Sequence, residues 1–148
     1  MTKILPRWCR IIREPSLLPY AEKPVSIRQP DDVVRFLRDR LIHEEQEVFV
    51  VLCLDQRSNV QECVEVSRGT VNSSLVHPRE VFRMAIATAA TGIIVAHNHP
   101  SGDPTPSSED RSVTKALSKA GELLEIPLYD HIIIAGERSL SFVSAGLL

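Results

Sequence analysis

The 148 residues are 43% apolar and 24% charged with a net charge of −2, which is the profile of one globular domain. The longest apolar run, Val48 to Leu54, falls far short of the roughly 20 residues a membrane-spanning helix needs, and Met1 to Ile12 lacks an apolar stretch of secretory-signal length. These features argue against a membrane partner and make a cytoplasmic protein the expectation. Charge is uneven: residues 1–40 carry nine Lys/Arg against five Asp/Glu, and residues 41–148 carry eight against fourteen. The basic front is the only feature favouring contact with DNA, and it lacks a dense Lys/Arg cluster. Cys9, Cys53 and Cys63 are odd in number and scattered, so neither a disulfide framework nor a cysteine metal site is expected.

Residues 1–29 read as an extended arm, because Pro6, Pro15, Pro19 and Pro24 interrupt it and Pro30 closes it. The domain is expected over residues 30–148. Asp31 is a plausible N-cap for a helix to about Glu44, with Val33, Val34, Leu37 and Leu41 on one face. Val48 to Leu54 has the β-branched, continuously apolar character of a strand buried on both faces. Residues 55–59 form a turn, and Val60, Glu62, Val64 and Val66 alternate as a second strand, completing a hairpin. Pro78 opens a second helix, which Gly92 is expected to end. Ile93 to Ala96 form a short buried strand running into His97-Asn98-His99-Pro100. After a Pro/Ser/Gly loop, Ser107 starts a third helix to about Leu124; Leu128 to Ala135 and Leu140 to Val143 are the last strands. The order suggests a mixed sheet covered by helices.

The strongest chemical signal is His97-x-His99, seven residues, Ser107, two residues, Asp110. If the chain stays extended after the strand, both imidazoles point to one side. The intervening loop can return Asp110, in the first turn of the next helix, to meet them. Two imidazoles and a carboxylate make a three-ligand zinc site with a fourth position open to water, the mark of a catalytic rather than a structural zinc. Such a metal lowers the pKa of its water to about 7. Taken alone, Ser107 and Asp110 fit a helix start better, as N-cap and acidic first-turn residue; joined to His-x-His at this spacing they favour the metal, and Ser107 can fill both roles. A proton shuttle is also required. Glu47 heads the buried strand, with Glu44 and Glu45 as competitors, and composition separates them only slightly.

This pattern resembles the JAMM (MPN-plus) metalloprotease motif. More closely, residues 30–148 resemble the RadC family of bacterial JAMM-like proteins. The resemblance rests on Glu47-Val48-Phe49 leading into Leu54-Asp55, on Gly69-Thr70-Val71-Asn72, and on His77-Pro78-Arg79-Glu80. It continues through His97 to Pro104, Pro106-Ser107 and Asp130-His131. It implies an α/β fold, a mixed β-sheet flanked by helices in JAMM/MPN architecture, similar in outline to cytidine deaminases. It implies one zinc ion per chain on His97, His99 and Asp110, with Glu47 as general acid/base and Ser107 as hydrogen-bond donor to an oxyanion. It thereby selects Glu47 from its neighbours. Longer RadC proteins resemble a two-part chain with a helix-hairpin-helix DNA-binding module in front. The residues ahead of this domain are expected to be too few for that module.

Several roles stay open at this level. His131 is either a partner that orients a ligand, a histidine satisfied by backbone, or a fourth ligand that would close the site. Asp130 has no assigned role, and His77 and Arg79 fit a structural role at a helix start. The leading function is a zinc-dependent peptidase or isopeptidase acting on a peptide or protein substrate. A nucleic-acid-processing or DNA-repair factor and a non-catalytic metal-binding module are the alternatives. A zinc deaminase is disfavoured, because Pro-Cys-x-x-Cys is absent.

Overall fold

The computed structural model describes residues 24–69 and 76–148. Residues 1–23 of the expected arm, and Thr70 to Asn72 of the quoted blocks, lie outside the described residues. The elements run α1 (Pro30–Leu41), β1 (Val48–Leu54), β2 (Val60–Arg68), α2 (Pro78–Ala87), β3 (Gly92–Asn98), α3 (Ser108–Leu124), β4 (Leu128–Ala135) and β5 (Arg138–Ser141). One five-stranded sheet has the order β2-β1-β3-β4-β5. β3 and β4 are parallel, joined through α3, and the other neighbours are antiparallel. The expected mixed sheet flanked by helices is what forms.

Every residue of β1 and β3 is buried, because helices cover both faces of the sheet. Phe49, Val51, Ile93 and Val95 project to one face and pack with Val81, Phe82 and Met84 of α2 and Val113 and Leu117 of α3. Val50, Leu52, Ile94 and Ala96 project to the other and pack with Val33, Val34, Leu37 and Leu41 of α1. Ile27 joins this second core, and the chain leading to it bonds the β1–β2 turn, Ile27 N–H donating to Ser58 O at 2.9 Å.

Several boundaries differ from the expectation for local reasons. α1 is capped by Gln29, not Asp31, since Pro30 takes the first helical position, where its missing N–H costs nothing. The Asp32 carboxylate then accepts the N–H groups of Arg28 and Gln29 at 2.9 and 3.2 Å, and the helix ends at Leu41, short of Glu44. α2 ends at Ala87, not at Gly92. Its last turn is closed by Ala89 at φ 52° and by Ala90 N–H donating to Ala85 O at 2.9 Å, a Schellman-type cap without glycine. Gly92 instead begins β3, where a Cβ would lie 2.1 Å from the Tyr129 ring. β3 extends past Ala96 to Asn98, and β5 is displaced to Arg138–Ser141.

Candidate metal centre

The last residues of β3 alternate between faces, as strand geometry requires. His97 follows Val95 onto the face covered by α2 and α3, and Asn98 turns to the opposite side. The chain stays extended through His99, whose N–H donates to Ile134 O at 2.9 Å, so the two imidazoles share a face. Their Nε2 atoms are 2.9 Å apart. Asp110 enters from the N-terminus of α3. Its Oδ1 is 3.1 Å from His97 Nε2 and its Oδ2 is 3.2 Å from His99 Nε2. His97 is fully buried and Asp110 nearly so, while the His99 side chain keeps 11% exposure. The cluster therefore opens to solvent on the His99 side.

A capping box aims the Asp110 carboxylate. Ser107 Oγ accepts the Asp110 N–H at 3.0 Å, and Asp110 Oδ2 accepts the Ser107 N–H at 2.8 Å. One arrangement thus caps the helix and aims the Asp110 carboxylate at the two imidazoles. The cap uses Ser107 Oγ only as acceptor, so its hydroxyl proton is left for another partner. His99 is aimed from behind: its Nδ1 lies 2.8 Å from Asp103 O. A carbonyl only accepts, so Nδ1 carries the proton and the neutral ring presents a bare Nε2 to the cluster.

His97 Nε2 and His99 Nε2, 2.9 Å apart, lie 3.1 and 3.2 Å from the two different oxygens of the Asp110 carboxylate, spacings close to the roughly 3.3 Å edges of a tetrahedron with 2.0–2.1 Å metal bonds. Among the described residues, His97, His99 and Asp110 are the one group of His, Cys, Asp or Glu side chains with this metal-holding geometry. The chemistry of the set agrees, since two imine nitrogens and an anion face one another and only a cation between them relieves the repulsion. The Asp110 carboxylate raises the His99 imidazole above its usual pKa against the opposing effect of partial burial. Burial disfavours the Asp110 anion, yet the two imidazoles hold its carboxyl well below the usual carboxylate range.

Glu47 lies at the mouth of this cluster. Phe49 pairs with His97 across β1 and β3; continuing that register places Glu47 opposite His99, and the two-residue period puts it on the same face. Its charge contributes to the raised His99 pKa. Neither His43, which is exposed, nor His77, the N-cap of α2, joins the cluster.

Three further residues surround the site. His131, left open by the sequence, is fully buried on β4, with Nε2 2.8 Å from His97 Nδ1 and Nδ1 2.6 Å from Thr114 Oγ1. It stacks on Phe142 at 4.6 Å between ring centroids. Burial and the neighbouring His97 hold its pKa well below the usual histidine value, so the ring is neutral. It touches His97 from behind and adds no fourth ligand atom to the cluster. Thr114 and Asn98 were not singled out from the sequence. Asn98 Oδ1 accepts the Val48 N–H at 2.7 Å, and its Nδ2 donates to Gln46 O at 2.9 Å, so its amide grips the chain on both sides of Glu47. A polar residue between two same-face histidines must project into the opposite, α1-covered face, and that was the available signal. Asp130 is structural: it accepts the N–H groups of His131 and Val143 and the Ser141 hydroxyl, tying β4 to the C-terminal turn.

A family model for the RadC-like JAB domain matches residues 27–147. The chain is 48% identical over 122 residues to a UPF0758 protein of Staphylococcus epidermidis, covering 82% of this chain and 54% of that protein. It is 46% identical over 119 residues to a UPF0758 protein of Trichlorobacter lovleyi, covering 80% and 52%. A UPF0758 protein of Clostridium perfringens is 44% identical over 124 residues, covering 84% and 55%. The chain thus spans about half the length of these curated relatives. With the family model matched across nearly all the described residues, the chain belongs to the RadC family and its sheet and helices are a RadC-like JAB domain.

Proposed function

We propose that this domain is a zinc-dependent hydrolase of JAMM type that cleaves amide bonds in peptide or protein substrates. The observation carrying the proposal is the convergence of His97 Nε2, His99 Nε2 and the Asp110 carboxylate, with contacts of 2.9, 3.1 and 3.2 Å among them, while the backbone of Asp103 and Ser107 holds His99 Nδ1 and Asp110 Oδ2 in place. A single zinc ion held there would act as a Lewis acid and bring a coordinated water to a pKa of about 7.

The chain's own residues then have separable tasks. Glu47, on the same face and opposite His99, takes the proton from the attacking water and delivers it to the leaving amine nitrogen. The Ser107 hydroxyl, spare of its proton once Oγ has accepted the Asp110 N–H, donates to the oxygen of the former carbonyl as it gains negative charge. Phe49 and the buried face beneath His97 keep water from the inner side of the cluster. A Glu47→Gln variant tests these assignments. It keeps the side chain's size and removes the base, so zinc content is expected to remain one per chain while cleavage of peptide and isopeptide libraries is lost. Unchanged cleavage by Glu47→Gln would overturn the assignment of Glu47.

A further inference from the structure

We propose that Thr114 and His131 are positioning residues that lock His97 in its metal-binding tautomer and tie that choice to the backbone of the third ligand, Asp110. The inference rests on the metal reading above and follows from counting protons along one buried chain of hydrogen bonds. The Thr114 hydroxyl has one proton and two neighbours, Asp110 O at 2.6 Å and His131 Nδ1 at 2.6 Å. Asp110 O can only accept, so the hydroxyl donates to it. His131 Nδ1 must therefore carry a proton and donate to Thr114 Oγ1. In the neutral ring His131 Nε2 is then bare, and at 2.8 Å it accepts from His97 Nδ1. With its proton on Nδ1, His97 presents an unprotonated Nε2 toward Asp110 and His99.

Each step forces the next, and all four residues are buried, so no water offers an alternative partner. The chain joins β3, β4 and α3, the two strands and the helix whose relative placement sets the cluster. Removing the hydroxyl reverses the logic. In Thr114→Val, His131 is freed to place its proton on Nε2. His97 Nδ1 must then accept, and the His97 proton moves to Nε2, where it blocks the ligand position. Thr114→Ser keeps the hydroxyl and the chain.

The test combines zinc affinity, by competition with a chelator, and imidazole nitrogen NMR of the metal-free wild type and variants. Expected in the wild type is a protonated Nδ1 and bare Nε2 on His131. Thr114→Val is expected to weaken zinc binding about 10- to 100-fold, in line with other outer partners of metal-bound histidines, and to alter the His97 and His131 nitrogen shifts; Thr114→Ser restores both. A protonated Nε2 on His131 in the wild type overturns the proposal, and this readout needs no variant to fold. Folded Thr114→Val with wild-type zinc affinity overturns it also, leaving the metal site standing. A wild-type chain that binds no zinc overturns the metal reading and this role with it.

Discussion

Asn98 gives the most quantitative test of how the fold serves the site. Its amide is almost fully buried and bonds the chain on either side of Glu47. In Asn98→Ala the Val48 N–H, now bonded at 2.7 Å within the buried interior, loses its acceptor. Leaving one buried donor unpaired costs about 1–3 kcal/mol. The Gln46 carbonyl lies at an exposed residue and can turn to water, so its loss adds little. The space left by the amide adds a packing penalty, for a total of about 2–4 kcal/mol. The ligands have separate supports: His99 is held through Asp103 O and His97 through His131. Zinc content is therefore expected to stay at one per chain. Glu47 loses both flanking anchors, and a displacement of about 1 Å in a reacting group can cost about 100-fold in rate. Urea unfolding, zinc analysis and peptide cleavage measured on one preparation separate these effects. Stability within about 0.5 kcal/mol of wild type, below the lower end of the unpaired-donor cost, would refute the clamp. Loss of zinc together with activity would show that Asn98 serves the ligand strand instead.

Ser107→Ala removes both the helix cap and the proposed oxyanion donor. About 1 kcal/mol of stability is expected to go with the cap, and kcat is expected to fall about 100-fold or more; a rate loss no larger than the stability loss explains would reduce Ser107 to a cap. The buried thiols give a pH prediction. Burial pushes Cys53 up to about 11 and Cys63 up to about 12. Because the folded values lie above the unfolded one, the thiols stabilise the fold fully below about pH 9 and progressively less above it. Urea unfolding at pH 10 is expected to show about 1 kcal/mol less stability per thiol than at pH 8. A Cys53→Ala/Cys63→Ala variant should lose that part of the slope; an unchanged slope would contradict the assignment.

The elements legible in the sequence were those with a local cause. Val48–Leu54 is apolar without interruption because both faces of its strand are covered. Pro78 marks α2 because proline is suited to the first helical position. Ser107 and Asp110 announce α3 through a capping box whose two hydrogen bonds lie within three residues. His97 and His99 meet because they are two residues apart on an extended chain, and Asp110 meets them because the loop between returns it. What escaped depends on neighbours distant in sequence. The link from His97 to His131 needs the parallel β3–β4 register, in which Val95 pairs with His131, and nothing near His131 encodes that register. Thr114 reads as an ordinary helix residue until His131 is placed beside it. Asn98 reads as loop because its partners lie 50 and 52 residues away. Gly92 looked like a helix stop, whereas Tyr129 across the sheet requires the missing side chain.

The most direct measurement is the metal content of the purified chain after zinc loading and removal of loosely held ions, compared with His99→Ala and Asp110→Ala variants of verified fold. One zinc per chain in the wild type, and none retained by either variant, is the expected result. A wild-type chain free of metal, or zinc retained in full when Asp110 is replaced, would contradict a cation held between these three side chains.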